Sequence, residues 1–221
     1  MKKKLALITA AALLAGTLAV GATLAYFTDS DKAVNVIQMG NVNISLTEPI
    51  FSSSDVSTTN DKGEHVYNQV IYPGQPIAKD PVITVENDSL DAYLRVKIEV
   101  TGNKITKDDE KAIIGSLKVK NQAGALVDLA AAGWVQAEDG YFYYQNKVTE
   151  GDKIPVFNEF VVPDTWNNEY GNSEFSISIK AEAIQYNYFT PSVDTKNQIN
   201  GWYMADGTPV VAETYNPPAG E

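Results

Sequence analysis

The chain of 221 residues contains no cysteine and a single histidine, His65. The first absence removes disulfides, thiol nucleophiles and Cys-rich zinc sites, and the second removes any catalytic scheme that needs two imidazoles. Basic residues are also in short supply, since 17 Lys and Arg face 28 Asp and Glu and leave a formal charge of −11. That is the wrong sign for neutralising phosphates, so nucleic acid is not expected as a partner, and anionic lipid is disfavoured for the same reason. Beyond the N-terminal leader no run is apolar enough to span a bilayer. What is present is an ordinary folding composition, 44% hydrophobic and 20% charged, too apolar for a disordered tail. The length suits one two-layer β domain with long connections.

Lys2, Lys3 and Lys4 precede an uncharged run over residues 5–25, the layout of a secretory signal peptide. Thr23 at −3 and Ala25 at −1 set the cut between Ala25 and Tyr26, with Ala22 offering a neighbouring one. Removal of 25 residues leaves 196, and loss of the three lysines takes the formal charge from −11 to −14. Left uncut, residues 5–27 would be long enough to act as an anchor. The expected organisation is a signal peptide (1–25), an N-terminal segment (26–40), a β domain (41–212) and a loose tail (213–221) with no cell-wall sorting signal.

Period-two alternation dominates the mature chain. Val42, Ile44 and Leu46 alternate with polar residues; so do Leu94, Val96, Ile98 and Val100 with Arg95, Lys97 and Glu99, and Phe175, Ile177, Ile179, Ala181 and Ala183 with Ser176, Ser178, Lys180 and Glu182. Each run reads as a strand with one buried and one wet face. Further strands are expected at 82–86, 117–120, 141–145 and 159–162, separated by turns such as Tyr72-Pro73-Gly74 and Asp139-Gly140. Many short alternating strands with few helices predict an all-β fold, a jelly-roll-like antiparallel β-sandwich with one or two short helices in its connections. Thr106 followed by Asp109 reads as a capping box that opens a helix over 107–116. Residues 51–66, rich in Ser, Thr, Asn and Asp, read as an exposed loop without a core of its own.

No candidate chemistry stands out. A zinc peptidase needs two histidines a helical turn apart and a glutamate base, and Glu64-His65 has no second imidazole. Acid pairs for glycoside hydrolysis are plentiful but none is singled out. Asp29-Ser30-Asp31 and Asp108-Asp109-Glu110 do not continue into a calcium loop, so no metal, cofactor or catalytic residue is expected. Tyr141-Phe142-Tyr143-Tyr144 puts two tyrosines on one face of a strand, as core packing or as a sugar-stacking platform. Trp134, Trp166 and Trp202 are scattered among turns.

The new N-terminus is the unusual segment. Tyr26, Phe27, Thr28, Asp29, Ala33, Val34 and Val36 run from two terminal aromatics through a polar stretch to β-branched residues. It reads either as a frayed first strand of the domain or as a donor strand that completes the sheet edge of another copy. In the second case each copy gives one strand and receives one, and such a head-to-tail contact builds a filament. At −14 the subunits repel one another, so assembly is expected to respond to ionic strength or pH.

The leader, the Thr23-Leu24-Ala25-Tyr26-Phe27 junction and Val36-Ile37-Gln38-Met39-Gly40-Asn41-Val42 resemble the TasA/camelysin family of secreted bacterial proteins. Tyr72-Pro73-Gly74, Val85-Glu86-Asn87-Asp88, Tyr93-Leu94-Arg95-Val96 and the late strand at 175–185 are similar to that family's turn and strands, whereas 101–172 matches in general character alone. The resemblance implies a Gram-positive exported protein with a leader cut by a SipW-type signal peptidase. It also implies a jelly-roll fold and extracellular matrix fibres built by donor-strand exchange. Other copies of the chain are the main implied partner, with room for an accessory anchoring or nucleating protein. Part of the family carries a metallo-endopeptidase label, which the missing His-Glu-x-x-His motif does not support here. A secreted carbohydrate- or surface-binding sandwich module is the alternative function.

Overall fold

The computed structural model describes residues 29–31, 42–55, 57–59, 65–67, 69–171, 173–204, 206, 208 and 210. The strands are β1 (Asp29–Asp31), β2 (Ile44–Thr47), β3 (Ser57–Thr59), β4 (His65–Tyr67), β5 (Pro76–Ala78), β6 (Val82–Val85), β7 (Ala92–Gly102) and β8 (Lys118–Lys120). They continue with β9 (Leu126–Asp128), β10 (Trp134–Gln136), β11 (Tyr141–Tyr144), β12 (Lys153–Pro155), β13 (Glu159–Val161), β14 (Phe175–Gln185), β15 (Phe189–Val193) and β16 (Ile199–Met204). Two α-helices lie in connections, α1 (Pro49–Ser52) and α2 (Lys107–Gly115). Among the described residues no helix is long and apolar enough to cross a membrane.

The strands form two antiparallel layers, and the fold is the all-β sandwich that the alternation predicts. One layer has the order β1-β14-β7-β11-β10. The other is built from β12-β6-β2 and β5-β13-β8-β9. These two sheets are one kinked layer, because backbone bonds from Val156 N to Pro81 O and from Lys79 N to Asn158 O carry the pairing across the break. From β6 onward the chain winds between layers: β7 in the first, β8 and β9 in the second, β10 and β11 in the first, β12 and β13 in the second, and β14 in the first. This winding is jelly-roll-like.

The core between the layers takes one parity from each strand. Leu94, Val96, Ile98 and Val100 of β7 and Ala181 and Ala183 of β14 meet Ile77, Ile83, Val85, Val119, Phe157 and Phe160 of the second layer. Each large side chain buried this way contributes roughly 1.5–3 kcal/mol. Trp134 on β10 spans the sandwich, with its indole N–H donating to Pro155 O at 3.0 Å.

One flank of the sandwich is closed by the chain itself. From β9 a 3-10 turn (Leu129–Ala132) crosses the layers to β10 and ends at Gly133, whose φ of 93° is left-handed. A Cβ there would stand 3.1 Å from the Tyr144 ring, so the position suits glycine twice over.

The sequence expectation for 51–66 is corrected in part. Pro49–Ser52 forms α1 and Phe51 is buried, because buried Asp80, from the link between β5 and β6, accepts the N–H groups of Ile50 at 2.9 Å and Phe51 at 2.8 Å. Ser57–Thr59 then pairs with His65–Tyr67 as a two-stranded ribbon.

Candidate functional site

The long strand pair β7–β14 organises the site. All eleven residues of β14 pair with β7, from Phe175↔Gly102 to Gln185↔Ala92. On its other side, among the described residues, β14 pairs with β1 alone: Asp29↔Ala183, Ser30↔Glu182 and Asp31↔Ala181. The core face of β14 follows that division. Ala181 and Ala183, opposite β1, are fully buried, whereas Phe175, Ile177 and Ile179 further along the same face are half-buried. The flank that carries β1 and β14 thus holds core-facing side chains that its own sandwich covers incompletely.

On the outer face of the same strands lies a polar cluster that alternation alone assigns to solvent. Arg95 and Glu182 stand directly opposite each other in the register, and their side chains are 3% and 1% exposed. Arg95 Nε donates to Glu182 Oε2 at 2.7 Å, and Nη2 lies 2.6 Å from the same oxygen. Lys180 Nζ reaches Glu182 Oε1 at 2.7 Å, and the Tyr141 hydroxyl donates to that oxygen at 3.3 Å. Arg95 Nη1 donates to the Tyr143 hydroxyl at 3.2 Å, which in turn donates to Asp139 at 2.7 Å.

The guanidinium carbon is 4.2 Å from the Tyr141 ring centre and 4.4 Å from that of Trp202. The cover is the hairpin β15–β16, which brings Phe189, Ile199 and Trp202 over Tyr143 and Ile184. Burial, and then the charge of Glu182, pushes the Tyr141 phenol up to about 12. Tyr143 is raised as well, by burial and its bond to Asp139. Burial opposes charge on Arg95, but Glu182 and Tyr143 outweigh it and hold the cation. The cluster is a charge-neutralised lock between strands.

Another buried carboxylate sits at the start of α2. Asp109 accepts from the Thr106 N–H at 2.9 Å and the Thr106 hydroxyl at 2.6 Å, from Trp166 Nε1 at 2.7 Å and from the Tyr170 hydroxyl at 2.9 Å. Burial alone would raise its pKa, yet the bonds from Thr106, Trp166 and Tyr170 hold it at about 2. Trp166 stacks on Tyr170 with the rings 4.7 Å apart. This is the capping box that the sequence indicates, extended by two aromatic donors into a clasp on the helix start.

Of the residues singled out in the sequence, Asp29 lies in β1. Ala25, Tyr26, Phe27, Thr28, Ala33, Val34 and Val36 lie outside the described residues. His65 lies in β4, opposite Thr59. Trp134, Trp166 and Trp202 are all buried, so none of them is an exposed stacking surface. Tyr141 and Tyr143 share a face, as the alternation predicts, but spend it on Arg95. Among the described residues no group of three or more His, Cys, Asp or Glu could hold a metal ion.

Fold and site together define a two-layer β-sandwich whose notable feature is an incompletely covered flank with an N-terminal strand laid against it. A family model described as camelysin metallo-endopeptidase matches residues 1–69, in agreement with the resemblance to the TasA/camelysin family. The matched stretch runs from residue 1 through β4 and ends before the long strand pair. No curated protein matches the chain.

Proposed function

We propose that this chain is a structural subunit of an extracellular fibre, joined head to tail when the N-terminal segment of one mature copy completes the sandwich of the next. The observation that carries this reading is the flank at β14: an eleven-residue strand paired on its outer side, among the described residues, over Ala181–Ala183 only, with Phe175, Ile177 and Ile179 half-buried beside it. A strand from outside gains backbone hydrogen bonds along such an edge and apolar burial beneath it. The leader, the junction after Ala25 and the family match over residues 1–69 support export and processing by a SipW-type signal peptidase. Secretion to the matrix or cell surface follows, and an accessory protein that anchors or starts the fibre is compatible with it.

The test is electron microscopy of the purified mature chain beside a version lacking residues 26–35. The full chain should form filaments and the truncated one should remain a folded monomer. Filaments of unchanged length from the truncated protein would refute the reading. The description of the matching family favours a metallo-endopeptidase as the second reading; it requires proteolysis abolished both by a chelator and by His65→Ala.

A further inference from the structure

We propose that Tyr93 and Tyr186 form an oxidative cross-linking site, at which a peroxidase and hydrogen peroxide join the two rings through a carbon–carbon bond and staple the end of the long strand pair. Cysteine is absent, so this chain has no disulfide with which to do the same. Tyr93 lies on β7 opposite Ile184, the last pairing is Gln185↔Ala92, and Tyr186 follows it at the start of a 3-10 turn (Tyr186–Tyr188). The two ring centres are 4.9 Å apart and the planes are tilted by 36°. A bond between ortho carbons draws such centres together by a fraction of an ångström and leaves the planes twisted, so the pair already stands near the geometry of its product.

Three contacts hold Tyr186 in place. Its N–H donates to Asp91 O at 2.9 Å, Lys147 Nζ stands 5.2 Å from its ring centre, and Lys147 pairs with the Asp91 carboxylate at 2.6 Å. Burial, and then the charge and hydrogen bonding of the Tyr186 phenol, push the Tyr93 phenol up to about 12, so the two hydroxyls face each other. Access is one-sided, with Tyr186 38% exposed and Tyr93 half-buried. An oxidant outside the protein reaches Tyr186, while Tyr93 is shielded from partners other than Tyr186. Tyr141 and Tyr143 are further apart, at 6.4 Å, and their hydroxyls are taken by Glu182, Arg95 and Asp139.

The oxidation needs two electrons. Tyr186 loses one electron and one proton to become a phenoxyl radical, which takes the hydrogen atom of the Tyr93 hydroxyl across their contact. A second oxidation of Tyr186 completes the radical pair. The radicals couple at carbons ortho to oxygen, and the hydrogens on those carbons shift to the oxygens and restore both phenols. Hydrogen peroxide accepts the two electrons and two protons and leaves as two waters. The bond lies within one subunit, so it forms whether or not subunits join.

The test treats the purified mature chain with a haem peroxidase and hydrogen peroxide and digests it with trypsin. Peptide 80–95 carries Tyr93 as its one tyrosine, and peptide 181–196 carries Tyr186 and Tyr188. The expected product runs as a monomer on a denaturing gel, shows dityrosine fluorescence, and yields these two peptides joined at a mass two hydrogen atoms below their sum. Y93F and Y186F should each abolish it, because a phenyl ring has no phenolic hydrogen to lose, and Y72F, at a tyrosine 64% exposed, should leave it unchanged. The staple closes a loop of about 90 residues in the unfolded chain, so Tm should rise by about 10–15 °C. No joined peptide, fluorescence confined to dimers, or a joined peptide that persists in Y186F overturns the site. An unchanged Tm in the joined monomer overturns its role as a staple.

Discussion

Replacing Glu182 by alanine tests whether the buried ion pair holds the long strands together. In the native chain the Arg95 guanidinium meets Glu182 Oε2 at 2.6 and 2.7 Å with both side chains at most 3% exposed. Removing one partner of such a pair leaves an uncompensated buried charge, at a cost of about 3–5 kcal/mol. Some of that is recovered here, since Arg95 keeps Tyr143 as an acceptor and stays between the rings of Tyr141 and Trp202, contacts worth about 0.5–2 kcal/mol each. The expected net loss for E182A is therefore about 3 kcal/mol, or about 6–12 °C in Tm for a chain of this size.

Arg95→Ala should cost less than it would at an isolated pair, because Lys180, 28% exposed at its side chain, already reaches Glu182 Oε1 at 2.7 Å and can neutralise the orphaned carboxylate. The double variant R95M/E182M removes both charges and should recover to within about 1.5 kcal/mol of wild type. Urea denaturation followed by tryptophan fluorescence measures all four proteins, with Trp202 reporting directly on the site. An E182A loss below about 1 kcal/mol, or a double variant no better than E182A, would refute the reasoning that desolvated charge and not strand packing dominates there.

Three further outcomes are expected. Asp109 is held at about 2 against an ordinary 3.8, and a depressed acid lends stability that is present above about pH 4 and lost as pH falls towards about 2. D109N should thus cost about 1–2 kcal/mol at neutral pH and converge on wild type across that window in denaturation midpoints; a gap that does not narrow contradicts the assignment. Gly133→Ala should destabilise by about 1–2 kcal/mol, given φ of 93° and the Tyr144 contact at 3.1 Å, and a neutral thermal melt would count against the strained turn. Filament yield of the mature chain, at formal charge −14, should rise between low salt and about 0.1 M, where the screening length falls to about 10 Å; a yield indifferent to salt removes electrostatic repulsion as a brake on assembly.

Much of the sandwich is legible in the sequence because period-two alternation is a local signal. The core parities of β7 and β14 follow from Leu94 to Val100 and from Phe175 to Ala183, and the α2 cap follows from Thr106 and Asp109. The wet parity is where local reasoning stops. Lys97, Glu99, Ser176 and Ser178 do lie on an open face, but Arg95 and Glu182 on the same parity are buried, since β15–β16 folds back over them from later in the chain. The clue lay in composition: Tyr141 and Tyr143 share a parity beside a late segment rich in aromatics, an apolar surface that needed covering. Phe51 was hidden for a similar reason, because what orders its helix is the carboxylate of Asp80, 29 residues away. The candidate edge depends on pairing β1 with a strand some 150 residues later, and no short window of sequence contains that register.

The turn that carries the chain from β9 through Gly133 into β10 bears on architecture at a larger scale. It ties the two layers together on one side, across from the incompletely covered β14 flank, and each chain has a single N-terminus to contribute. Under the proposed exchange every subunit has a valence of two, one giving and one receiving. Units of that valence lengthen without branching, and a meshwork built from them would owe its junctions to lateral contacts between finished fibres or to another molecule.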